Sequence, residues 1–215
     1  MTEQSTPGPA NEVGLDLIAP ELLAPALRRL TLAAIGIGVG VGLLAAILVN
    51  WPVAIAIGLV LGAPTALYAI AVQRRRIRLS GTVIRARTWR GERSLDIADA
   101  TGVEILVHPG RLSRILLRVT AGPDTRIIPL GMYTDSGDGR ELHALGLRKL
   151  ADALAACPLA AALAVSDLLI RQSRAEVRDA YAEERPLYRA VGLVRDRDAV
   201  STVVLTDADI AQLAR

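Results

Sequence analysis

The sequence predicts an α+β membrane protein: an N-terminal two-helix transmembrane hairpin, then a small antiparallel β domain with a closing helix, then a helical C-terminal extension. Three observations predict it. Two apolar runs, Leu30–Val49 and Val53–Val72, hold 20 residues each without a charge. Eight arginines crowd residues 73–93. Beyond them the apolar residues alternate, as in strands, and then recur at helical spacing.

Taking the chain in order, residues 1–12 are polar and rich in Pro and Gly, the composition of a disordered terminus. Residues 13–29 form a juxtamembrane segment, apolar but broken by Pro20 and Pro25. Either a short helix on the membrane surface or a plain linker fits them. The hairpin follows over 30–72. At 1.5 Å per residue, each run of 30–49 and 53–72 spans about 30 Å, the hydrocarbon thickness of a bilayer. Only Asn50, Trp51 and Pro52 separate the runs. Proline suits a helix's first turn, and Trp51 suits the membrane interface as an anchor. Arg28 and Arg29 precede the first run, and Arg74, Arg75, Arg76 and Arg78 follow the second. Positive flanks stay on the cytoplasmic side. Both termini are therefore expected in the cytoplasm, with the protein in the bacterial inner membrane. The run starts too late, behind acids, and is too long for a cleaved signal peptide.

The spacing of Gly36, Gly38, Gly40 and Gly42 does not match a dinucleotide-binding loop. In lipid, small residues four apart let helices approach closely. Gly36 with Gly40 and Gly38 with Gly42 make two such pairs on nearly opposite faces. Ala54, Gly58, Gly62 and Ala66 form one small stripe on the second run. One glycine face is expected to pack on that stripe, and the other is left for a second copy or another membrane protein. Glycine is also common in transmembrane helices without any such role. Pro64 is expected to kink the second helix. Neither run contains an ionisable residue of the kind that marks ion or proton pathways.

Residues 73–158 form the expected cytoplasmic domain. Segments 77–88, 93–107, 114–121 and 125–130 are rich in β-branched residues. They are punctuated by Arg90-Gly91, Pro109-Gly110 and Gly122-Pro123-Asp124, which are turn signals. Residues 138–158 read as a helix, with Asp138 and Glu141 spaced as a capping box. Its apolar stripe is Leu147, Leu150, Leu154 and Cys157, and Pro158 ends it. The membrane hairpin, the arginine-rich junction, "SLDIADATGVEI" and the closing "LRKLADALAA" resemble bacterial membrane proteins carrying a pleckstrin-homology-like (PH-like) domain, over roughly residues 28–158. That resemblance implies scaffolding or partner binding at a membrane, and it carries over no catalytic residue. In the extension, 159–215, a helix is expected over 159–185, where Leu163, Ile170 and Val177 recur every seven residues. A strand and a short helix capped near Thr206 are expected over 199–215.

Chemistry for an enzyme is not apparent. Cys157 is the only cysteine, which excludes an internal disulfide and a Cys-based zinc site. It reads as a small buried residue. His108 and His143 have no ligand-spaced neighbours. The stretch Thr134–Gly139 does not satisfy a calcium loop, because Leu145 stands where its bidentate Glu belongs. Ser80, Ser113 and Ser136 lack a nucleophile's setting. Asp96, Asp99 and Glu104 read as a solvated sheet face. No cofactor or metal is expected.

Charge is local. Residues 1–29 carry net −2, 73–93 net +7 and 94–215 net −2. The arginines Arg74, Arg75, Arg76 and Arg78, extended by Arg85, Arg87, Arg90 and Arg93, either only fix topology or also meet anionic headgroups of the inner leaflet. Nucleic acid is not an expected partner, since the domain beyond is slightly acidic and Trp89 is the one aromatic nearby. The expected function is non-enzymatic: anchoring a recognition or scaffold domain at the inner leaflet and binding a membrane or envelope protein, or a second copy. The alternatives are an accessory subunit of a transporter, secretion or envelope-synthesis complex, and a membrane-surface enzyme.

Overall fold

The computed structural model describes residues 12–17, 20–48, 50–53, 55–57, 59–60, 63–64, 67, 76–88 and 91–214. The chain divides into two compact units, Met1–Leu17 with Ile77–Ala86 and Glu92–Arg215, and Ile18–Arg76 with Arg87–Gly91. The architecture is α+β with antiparallel sheets and one long apolar N-terminal helix.

The first element is a short strand, β1 (Glu12–Gly14), followed by a single helix, α1 (Pro20–Leu48). Pro20 opens α1 where a missing N–H costs nothing, and the helix takes in Pro25 as well. The segment read as juxtamembrane is thus divided between β1, a short connection and the first turns of α1. The described residues between Trp51 and Leu67 are helical, Pro64 among them. Ala54, Gly58, Gly62 and Ala66, the small stripe, lie outside the described residues, as do Arg74, Arg75 and residues 1–11.

β2 (Arg76–Ser80), β3 (Val83–Thr88) and β4 (Gly91–Asp96) complete a four-stranded sheet in the order β1-β2-β3-β4. Gly81, at φ +61°, makes the turn between β2 and β3, so the segment 77–88 is a hairpin. The segment 93–107 is also divided. Asp96 accepts from the Ala98 N–H at 3.0 Å and Ala100 donates to the Ile97 carbonyl at 3.0 Å. This turn sends β5 (Gly102–His108) into a second sheet. That sheet has the order β8-β7-β6-β5-β9. β6 (Leu112–Ala121) and β7 (Asp124–Thr134) form its long hairpin, turned at Gly122 with φ +56°.

β8 (Gly139–Glu141) corrects one expectation. The closing helix α2 (Ala144–Ala155) begins after His143, and Asp138 with Glu141 makes no capping box. Gly139, Arg140 and Glu141 instead pair with Tyr133, Met132 and Gly131 of β7. Thr134–Asp138 is the hairpin turn, with Gly137 at φ +88° and the Thr134 N–H bonded to the Asp138 carbonyl at 2.7 Å. Strand pairing and a buried partner set for Glu141 outweigh the exposed cap. The predicted stripe is buried at Leu147, Leu150 and Leu154 of α2 and at Cys157, which lies past the helix's end, while Arg148, Lys149 and Asp152 stay exposed.

α3 (Ala160–Val177) is shorter than the expected helix over 159–185. Asp179, at φ 51°, breaks the path. A 3-10 turn (Ala182–Glu184) and a further helix, α4 (Pro186–Arg195), follow. The seven-residue repeat does not form the packed face: Leu163 and Val177 are exposed, and Ala162, Val165, Leu168, Leu169 and Gln172 are buried. β9 (Val203–Val204) adds to the edge of β5, and α5 (Asp207–Leu213) has the predicted cap at Thr206. One apolar core unites these parts. It includes Leu79, Ile84, Ile105, Leu117 and Leu130 from strands, Leu150 and Leu168 from α2 and α3, and Val191 and Ile210 from α4 and α5. The extension 159–215 shares this core with the β domain.

Candidate functional site

The N-terminal helix carries an unusual surface. Arg29–Ile47 is a 19-residue stretch of α1, only 11% of it buried. That length corresponds to about 28 Å. A helix buried in a soluble core would hide such residues. Here Leu32, Ile37, Val39, Leu43, Leu44 and Ile47 all stand exposed, and large exposed apolar patches mark membrane or protein interaction surfaces. Trp51, Val53, Ile55, Leu59, Val60 and Leu67 are exposed too, Trp51 at 73%.

The glycines of α1 separate by face. Ala34 and Gly38 are buried within the chain, and Thr31, Val41, Gly42 and Ala45 are half-buried along the same side. Gly36 and Gly40 are exposed, and a Cβ built at either meets nothing within 4 Å. The opposite-face geometry read from the sequence therefore has one covered side, marked by Gly38 and Gly42, and one open side, marked by Gly36 and Gly40.

The arginine junction is only partly free. Arg78 bonds Glu12 of β1 at 2.9 Å, and Arg85 reaches the same carboxylate at 3.7 Å. The register explains this: Gly14 faces Arg78 and Glu12 faces Ser80. Glu12 was invisible as a partner because no sequence signal marks a three-residue strand. Arg93 is exposed.

In the α+β unit a buried polar cluster, which no local pattern announces, gathers around Glu141, whose side chain is 5% exposed. Tyr133 donates its hydroxyl to Glu141. Gln172 Nε2 donates at 2.6 Å and Arg185 Nη1 at 3.1 Å. The Gln172 carbonyl oxygen accepts from the Leu187 N–H at 2.9 Å, tying α3 to α4. A Cβ at Gly139 would stand 2.5 Å from the Tyr133 ring, so only glycine lets that ring cross β8. Tyr188 meets Tyr133 edge-on, with centroids 5.3 Å apart. Burial, then Glu141, pushes the Tyr133 phenol far above its usual range. Burial, then Glu141, also raises the Glu176 carboxyl. Glu141 accepts three bonds and answers a charge, which is the arrangement of a satisfied structural anion rather than an open acid or base.

Several remaining candidates are occupied locally, whereas Ser80 Oγ and His108 Nδ1 are buried without a hydrogen-bond partner among the described residues. Ser113 is fully buried, donating to the Gly110 carbonyl and accepting from Arg195. Ser136 bonds Thr134 and Asp138 inside the hairpin turn. Glu104 pairs with Arg118 directly across β5 and β6. Cys157 is buried, its Sγ 3.8 Å from the Ala100 carbonyl. His143 stands just before α2, not within it. Among the described residues, no group of three or more His, Cys, Asp or Glu side chains is placed to hold a metal ion.

Comparison with models of protein families, with curated proteins and with solved structures finds no match for this chain.

Proposed function

We propose that the chain is a non-enzymatic integral protein of the bacterial cytoplasmic membrane. A helical hairpin over residues 30–72 anchors a PH-like recognition domain at the inner leaflet, and that domain binds a membrane or envelope protein. One observation carries the reading. A helix of membrane-crossing length, exposed along its apolar surface, is spliced between two strands that pair with each other, β1 and β2. Val13 lies opposite Leu79. The chain thus leaves the sheet and returns to it at one place. If residues 18–76 enter a bilayer, they cross it an even number of times, and the arginines at both ends choose the cytoplasmic side. The two sheets followed by α2 support the PH-like reading, while α3, α4 and α5 depart from a minimal version of that plan.

Cysteine labelling in intact cells tests the proposal. Cys157 is buried and gives little background. Asn50→Cys is expected to react with a membrane-impermeant maleimide, and Val200→Cys, at a position 95% exposed, only after lysis. Equal labelling of both in intact cells, or a chain that stays in solution after lysis, defeats the reading.

A second reading, an accessory subunit of a transporter, secretion or envelope-synthesis complex, is favoured by the open Gly36–Gly40 side of α1. A partner helix packed there is displaced by Gly36→Leu with Gly40→Leu, which removes copurifying membrane proteins without unfolding the α+β unit. Unchanged copurification counts against it.

A further inference from the structure

Five arginines line a single groove of about 580 Å³ on the helical side of the α+β unit. Arg148 comes from α2, Arg171 and Arg174 from α3, Arg178 from its C-cap, and Arg189 from α4. One carboxylate, Glu184, lines it with them. Arg171 is already held by Asp167 at 3.2 Å, and Arg178 bends back to the Arg174 carbonyl at 3.3 Å. Among the described residues, Arg148, Arg174 and Arg189 have no ion-pair partner. Elsewhere in the unit Arg185, Arg195 and Arg197 each meet a carboxylate. The floor includes the buried Ala175, Pro186 and Leu213. Like charges gathered over a low-dielectric floor repel one another, and they focus a positive potential into the concavity. An anion of matching size relieves both.

We propose that this groove binds a compact, multiply charged phosphorylated group through Arg148, Arg174 and Arg189. The volume suits a small ligand. The flat fork of a guanidinium matches two phosphate oxygens at once. The use of arginine rather than lysine carries no weight, because Lys149 is the only lysine in the chain. Nucleic acid fits less well, since no aromatic side chain lines the groove for stacking. The phosphates belong either to a lipid headgroup or to a soluble molecule, and the test separates these sources. The inference goes beyond the anchor reading and does not depend on it.

The full-length chain in phosphatidylcholine nanodiscs is titrated with inorganic pyrophosphate by calorimetry at low salt. In a parallel arm, nanodiscs without protein but with phosphatidylinositol bisphosphate are titrated with the chain held in mild detergent. Saturable binding in either arm is expected, with pyrophosphate binding identifying a soluble source and headgroup binding alone a lipid source. Arg174→Gln with Arg189→Gln is expected to weaken it roughly 100-fold, two charge-assisted contacts being lost. Arg148→Gln, on a different helix, serves if the double variant melts early. Arg111→Gln with Arg140→Gln, exposed positions outside the groove, leaves binding unchanged. No binding of either probe overturns the proposal. So does equal weakening by the two double variants, which indicates diffuse charge. Flotation with phosphatidylcholine vesicles reads the anchor independently of these arginines.

Discussion

Tyr133 of β7 and Glu141 of β8 meet diagonally across the strand pair, the phenol of one donating to the buried carboxylate of the other. The bond joins the long hairpin to the helices, because Glu141 also receives Gln172 from α3 and Arg185 ahead of α4. Tyr133→Phe removes one donor from a buried charge and is expected to cost about 1.5–3 kcal/mol, read as a lower urea midpoint. In the native chain, absorbance titration is expected to find the Tyr133 phenol ionising only on unfolding.

Glu176 provides a pH-dependent test. Its raised carboxyl pKa means that the folded state holds the proton more tightly than the unfolded chain does. The resulting stabilisation is complete below the unfolded pKa and is lost as pH rises through the folded value. Glu176→Gln still accepts a hydrogen bond and cannot ionise. Its melting temperature is expected to equal or exceed that of the native chain at neutral pH, with the advantage gone near pH ~4. A variant less stable than native at neutral pH contradicts this.

Asp209 behaves in the opposite sense. The hydrogen bond from Arg197, aided by the Thr206 cap, lowers its pKa from 3.8 to about 2. Its stabilisation is present above the unfolded value and fades as pH falls through the folded one. Thr206→Ala removes half of the capping box and is expected to cost about 1 kcal/mol. Asp209→Ala costs more at neutral pH, and its deficit narrows between pH 3.8 and about 2. Hydrogen exchange in α5 reports both changes locally.

On the proposed membrane reading, the exposed side of α1 predicts a depth-dependent penalty. Val39→Arg, near the middle of Arg29–Ile47, is expected to cost about 2.5–3.5 kcal/mol of membrane insertion. The fraction resisting alkaline carbonate extraction should fall accordingly. Val200→Arg should leave that fraction unchanged.

The legible parts of this fold were those with repeated local signals. The stripe Leu147, Leu150, Leu154 and Cys157 announces α2, and Thr206 with Asp209 announces α5. Gly122 and Gly137 occupy turn conformations that suit glycine. Asp138 and Glu141 misled because a capping spacing is local, whereas the choice was made by β7 and by Gln172, 31 residues away. The Leu163, Ile170, Val177 repeat misled because α3 packs through Val165, Leu168 and Leu169. The arginine groove was hidden for a similar reason: Arg148 and Arg189 are distant in sequence and become neighbours only after α2, α3 and α4 assemble.

β1 makes only three residue pairs with β2, yet it covers the one edge of β2 that β3 does not. Gly14 and Arg78 are separated by the whole apolar segment, so this cap is out of reach until the ribosome has delivered the chain through β2. During that interval β1 has no partner, and its unpaired edge can recruit a stranger's strand. Deleting Glu12–Gly14 instead bares the β2 edge in the finished chain, and a lasting tendency to self-associate is expected.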